Sequence, residues 1–123
     1  MKIHHIAIIC SDYAVSKKFY TEILDLNIIR EVYREERQSY KLDLAINGIY
    51  QIELFSFPEP SARPSRPEAA GLRHLAFEVD DVTEVAKILN TKEQSFRIIF
   101  QFKTGLIPFF ACLFFKNNGR RYR

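Results

Sequence analysis

A strand pattern followed at once by a capped amphipathic helix is written twice in this chain, with His5 and His74 at equivalent places 69 residues apart and a proline-rich segment between the copies. Internal repetition of this kind restricts the fold to one assembled from two similar units. In the first copy, residues 3–10 read as a strand with Ile3, His5, Ala7 and Ile9 on one side. Ser11 or Asp12 caps a helix predicted over Tyr13–Leu24, with Val15, Phe19 and Ile23 as its inward stripe. Strands are expected over 27–34, 38–46 and 49–57. Asn47-Gly48 joins the last two, because a type I′ turn needs positive φ at both central residues and these two residue types tolerate it best. Residues 1–57 thus form a βαβββ module.

Residues 58–71 hold four of the five prolines and read as a linker, since each proline removes a backbone donor and fixes φ. A second module is expected over 72–123. It opens with a strand at 72–79 and a helix beginning at Asp81, whose stripe is Val82, Val85, Ala86 and Leu89, with Glu84 reinforcing the cap. Three further strands are due in residues 94–123. At 123 residues, both modules together make one domain of ordinary size.

Composition narrows the function classes. With 47% hydrophobic and 27% charged residues, and no run near the roughly 18–20 apolar residues a membrane span requires, the chain reads as a soluble protein without a membrane segment. Lys2 leads straight into a patterned strand with no signal-peptide plan, which points to the cytoplasm. Cys10 and Cys112 form no CxxC pair and read as small core residues. The net charge of +3 conceals an asymmetry: residues 94–123 carry six Lys or Arg, no acid and seven of the eleven Phe. Arg120, Arg121 and Arg123 at the terminus do not amount to a basic stripe, so no nucleic-acid partner is expected.

Two imidazoles and a carboxylate, His5, His74 and Glu53 of the fourth strand, stand on strand interiors. Each is costly to bury alone, and together they could satisfy one divalent cation. The bland alternative is a pair of hydrogen-bonded strand histidines and a solvent-facing glutamate. His4, next to His5 on a strand, should point to the opposite face.

The stretches "HHIAIICSDYAVSKKFYTEIL" and "YQIELFSFPEPSARPSRPEAAGLRHLAFEVDDV", in this order and with the repeated βαβββ plan, resemble the vicinal oxygen chelate superfamily of glyoxalase I, bleomycin-resistance proteins and extradiol dioxygenases. The likeness is closest to its short bacterial glyoxalase-like branch and covers residues 1 to about 90. It implies an α+β fold in which two βαβββ modules form a half-open barrel around a divalent ion, Zn, Ni, Mn or Fe. Carried over by position, the metal ligands are His5, Glu53 and His74. Glu53 is the strand carboxylate of this set that could serve as catalytic base, and Arg73 and Arg66 could meet an anionic group of the substrate, although a solvent-exposed arginine is the commoner case. The implied activity is a metal-dependent, lactoylglutathione lyase-related step on a small oxygen-chelating substrate through an enediolate-type intermediate, in a homodimer. Two other classes within the resemblance are a metal-free small-molecule sequestering protein and a ring-cleaving dioxygenase.

The tail departs from this pattern. The superfamily takes a fourth ligand, a Glu, from the last strand of the second module, whereas this chain has no acid after Glu93. Arg120 or Arg123 falls at or near that place, and a guanidinium has no lone pair to give. Either the second half is divergent, with "FRIIFQF" and "LIPFFACLFF" as strands and three protein ligands, or the coding frame shifts near residues 91–95.

Overall fold

A computed structural model of the chain describes residues 1–61, 67, 70–72, 74–92, 98–101 and 110–113. The chain divides into two compact units, Met1–Pro67 and Glu68–Arg123.

The first unit opens with β1 (Ile6–Cys10) and α1 (Tyr13–Lys18), which runs into a π-helical turn at Phe19–Ile23. Asp12 caps α1, its carboxylate accepting from the Val15 N–H at 3.0 Å. The predicted stripe is only partly the one that packs: Phe19 and Ile23 are buried, but Val15 is exposed and Tyr20 takes its place inside. The wider turn supplies the reason. Leu24 N–H reaches back five residues to the Phe19 carbonyl, so the inward face rotates and Phe19 and Tyr20 both turn under. Asp25, at φ 59°, ends the helix.

Strands β2 (Asn27–Arg34), β3 (Ser39–Ile46) and β4 (Ile49–Ser56) follow, and the sheet order is β1-β4-β3-β2. β2, β3 and β4 are joined antiparallel, while β1 lies parallel to β4 with Ala7 opposite Glu53. Asn47 and Gly48 have φ 51° and 76°, the pair of positive values that a type I′ hairpin demands.

One face of this sheet is the core. Leu42, Leu44, Ile52 and Leu54 are almost wholly inaccessible, as are Phe19 and Tyr20. Each such side chain contributes about 1.5–3 kcal/mol on burial. The first strand contributes Ile6, Ile8 and Cys10 to the covered side, whereas Ile3, His5, Ala7 and Ile9, the expected inward set, lie on the exposed side. Apolar residues occupy both parities of this strand, so alternation alone could not choose between them.

In the second unit, β5 (Leu75–Glu78) is followed by α2 (Val82–Lys92), β6 (Ile98–Gln101) and β7 (Phe110–Leu113). Asp81 caps α2 by accepting from the Thr83 and Glu84 N–H groups at 2.8 and 3.1 Å, and Leu89 is buried. The described strands pair in the order β5-β7-β6, both pairings antiparallel. This differs from the first unit, where the opening strand runs parallel to its neighbour. Half of the expected linker, including Arg66, and most of 94–123, including Arg120 and Arg123, lie outside the described residues. No described helix is long and apolar enough to cross a membrane.

Candidate metal centre

The face of the first sheet opposite the core carries Ala7 and Ile9 of β1 and beside them a set of polar groups that converge. β1 carries His5 just ahead of its first residue, β4 carries Glu53, and β3 carries Lys41 and Asp43. Glu53 and Asp43 are direct cross-strand partners. His5 Nε2 lies 3.4 Å from Glu53 Oε2, while Lys41 Nζ lies 2.5 Å from Glu53 Oε1 and 3.1 Å from Asp43 Oδ1. The two carboxylates therefore share one ammonium, and Glu53 offers only its second oxygen to the histidine.

Tyr50 joins this face through a defect in the ladder. Residue parity would place it with Ile52 and Leu54 on the core side. The β3–β4 register, however, passes from Leu44 opposite Ile52 to Ala45 opposite Tyr50, so Gln51 is an extra, unpaired residue. A bulge of this kind re-aims the next side chain. The Tyr50 hydroxyl donates to Asp43 Oδ1 at 3.2 Å, and its ring stacks on His5 with centroids 5.2 Å apart and planes 20° apart.

His4 also arrives here. It lies ahead of β1, where the chain is not yet held to strand alternation, and its Nδ1 is 2.7 Å from Nδ1 of His5, with its ring set edge-on to both His5 and Tyr50. One of the two Nδ1 atoms must donate and the other accept. If His5 Nε2 is to offer a lone pair, His5 Nδ1 carries the proton and His4 accepts it, an arrangement in which the neighbour fixes the tautomer.

The electrostatics follow from these contacts. Burial alone would push the Glu53 carboxyl upward, but hydrogen bonds from Lys41 and Tyr50 and the charges of Lys41 and His5 outweigh it and hold Glu53 below the ordinary carboxylate range. Lys41 is correspondingly raised, first by its hydrogen bond to Glu53. Tyr50 is raised by desolvation and by the acids beside it. Glu53 is thus an anion at neutral pH.

His5 and Glu53, 48 positions apart in the chain, are brought together. Their 3.4 Å separation is close to the edge of a tetrahedral zinc site with bonds of about 2.1 Å, so this pair fits as two ligands of one ion. His74 stands in the second unit, exposed and one residue ahead of β5, and Arg73 lies outside the described residues. Among the described residues no three His, Cys, Asp or Glu side chains gather as a ready cage. Sequence patterning missed Lys41, Asp43 and Tyr50. Period two along β3 could have flagged the first two as one polar face, but nothing local marks the bulge that delivers the third.

The sequence of residues 2–105 matches the family model described as the Glyoxalase/Bleomycin resistance protein/Dioxygenase superfamily. The chain is 62% identical over 90 residues to the uncharacterized protein YwkD of Bacillus subtilis (strain 168), covering 73% of this chain and 70% of that protein. To the uncharacterized protein YaeR of Escherichia coli (strain K12) it is 59% identical over 100 residues, 79% of this chain and 78% of that one. The crystal structure of the glyoxalase family protein from Enterococcus faecalis superposes with a TM-score of 0.67 at 46% identity, covering 74% of this chain and 71% of that chain. With its α+β architecture and a polar sheet face built around His5 and Glu53, this chain belongs to the Glyoxalase/Bleomycin resistance protein/Dioxygenase superfamily.

Proposed function

We propose that the protein is a metal-dependent, glyoxalase-like enzyme acting on a small substrate with two adjacent oxygens, and that His5, Glu53 and His74 hold its divalent ion. The observation that carries this reading is the approach of His5 Nε2 to Glu53 Oε2 at 3.4 Å, with Glu53 held anionic among half-buried neighbours. A divalent ion supplies Lewis-acid stabilisation of negative charge developing on substrate oxygens.

The chain's own residues divide the remaining work. His5 and Glu53 bind, His4 sets the His5 tautomer, and Lys41 keeps Glu53 deprotonated. Glu53 is also the carboxylate in the first unit suited to take a proton from a substrate carbon. Its lowered proton affinity weakens it as a base and favours the ligand role, because a general base works best with a pKa near the operating pH. Arg73 remains the proposed contact for an anionic substrate group, and a homodimer the proposed assembly.

The test is metal content after purification without an affinity tag. A stoichiometric divalent ion in the wild type, lost in His5→Ala, Glu53→Gln and His74→Ala with the fold retained, is the expected result. One observation favours a second reading, a metal-free binder of flat small molecules: Lys41 already pairs with both Glu53 and Asp43 and offsets half of their charge, and the stacked His5 and Tyr50 rings present a planar surface. A folded wild type without bound ion, and with no uptake of Zn, Ni, Mn or Fe in titration, would overturn the metal reading and favour that alternative.

A further inference from the structure

We propose that the same sheet face binds an elongated amphiphilic carboxylate, whose apolar body lies over Ile9, Phe55 and Phe57 and whose carboxylate is held by Arg37. This deepens the reading above by naming the substrate class, and rests on it only in placing the oxygenated head of the molecule at His5 and Glu53. The layout follows from the strands. Glu53, Phe55 and Phe57 are alternate residues, so the polar cluster continues along β4 into two aromatic side chains. Their rings lie with centroids 6.0 Å and planes 11° apart. Ile9 stands beside Phe55 on β1 and is exposed, while both phenylalanines are half-buried. An apolar floor thus adjoins the charged cluster.

At the far end, the turn between β2 and β3 sets the Arg37 guanidinium over the Phe57 ring, 4.9 Å from its centroid. A stacked guanidinium spends its face on the ring and keeps its N–H edges for a planar, two-oxygen anion. Among the described residues no carboxylate pairs with Arg37, although Glu35 and Glu36 share its turn. Lys41, beside Phe55 on β3, does not compete for that anion, since its ammonium is committed to Glu53 and Asp43 at 2.5 and 3.1 Å. A single guanidinium with acidic neighbours balances one negative charge, which favours a carboxylate over a phosphate dianion. Four residues separate Glu53 from Phe57, roughly 13 Å at about 3.3 Å per residue, so a ligand that reaches both ends carries an apolar segment of about that length. Arg37 is an anion contact in addition to Arg73.

The experiment is a calorimetric titration of the full chain in EDTA with 4-phenylbutanoate, and with 4-phenylbutanol and 4-phenylbutylamine as neutral and cationic counterparts of similar shape. Expected is that the carboxylate binds about tenfold more tightly than the alcohol, with the amine weakest, and that this preference disappears in Arg37→Gln. Arg37 lies exposed on a turn, so that variant keeps the fold. Phe55→Ala should weaken the acid and the alcohol alike and leave their ratio unchanged. Should it unfold, Ile9→Ser, at an exposed position, makes the same test. No binding of the carboxylate, equal binding of the three probes, or a preference that survives Arg37→Gln overturns the proposal. So does tighter binding of 4-phenylbutyl phosphate than of the carboxylate, or no loss of affinity in either floor variant. Because EDTA removes any ion, the two readings fail separately. An Arg37-dependent preference in a protein that takes up no divalent ion overturns the metal reading alone, and ion uptake lost in His5→Ala without any carboxylate preference overturns this proposal alone.

Discussion

The two faces of the first sheet are made by alternate residues of the same strands, and they do different work. Leu42, Leu44, Ile52 and Leu54 lie against the helical segment with almost no exposure, while their immediate neighbours Lys41, Asp43 and Glu53 assemble a charged cluster on the other side. One face is apolar and close-packed, so its tolerance is set by volume. The other is held by charge and hydrogen bonds, so its tolerance is set by which partners remain. A strand that must serve both faces has a fixed register, since a slip of one residue would exchange the two sets.

Adjacent positions on β4 provide the sharpest test. Leu54→Ala should cost about 2–5 kcal/mol, read as a large fall in denaturant midpoint, because it opens a cavity beneath the helical segment. Glu53→Gln should cost less, about 1–2 kcal/mol, since it weakens hydrogen bonds to a charged group but leaves the volume unchanged. If the two proved equal, the division of labour between the faces would be wrong.

Smaller effects lie at the edges of the comparison. Asp12→Ala removes the cap of α1 and should lower stability by about 1 kcal/mol in the same denaturation assay, with Asp12→Ser restoring most of it. Glu31 is a solvent-side counterpart of Glu53: Lys17 and Tyr13 donate to it at 2.8–2.9 and 2.5 Å and hold its carboxyl below the usual range. Because its folded pKa is depressed, its contribution is present above the unfolded carboxylate pKa and is lost as pH falls through the folded value. Stability curves of wild type and Glu31→Gln should therefore differ at neutral pH and converge in acid, by less than about 1 kcal/mol because the pair is partly exposed.

Much of the first unit was legible residue by residue. The Asp12 cap and the Asn47-Gly48 turn, and the strands that the turn joins, rest on short-range rules, and the structure places them within a residue or two of expectation. The likeness of "HHIAIICSDYAVSKKFYTEIL" to a known superfamily held because it is carried by residues of this kind. The inward face of β1 was misread, since apolar residues occupy both of its parities, and so was the helix stripe, because a π turn shifts the periodicity on which the stripe depends.

The sequence by itself determined the elements, the turn and the caps of the first unit, together with the nomination of His5, Glu53 and His74, for these follow from local φ/ψ preferences, alternation and residue type. Only the tertiary structure decided that Lys41 stands between Asp43 and Glu53, that a bulge at Gln51 swings Tyr50 onto the polar face, and that His4 joins His5 there. Those outcomes depend on strand register and on pairing between segments far apart in the chain, and no rule confined to neighbouring residues contains that information.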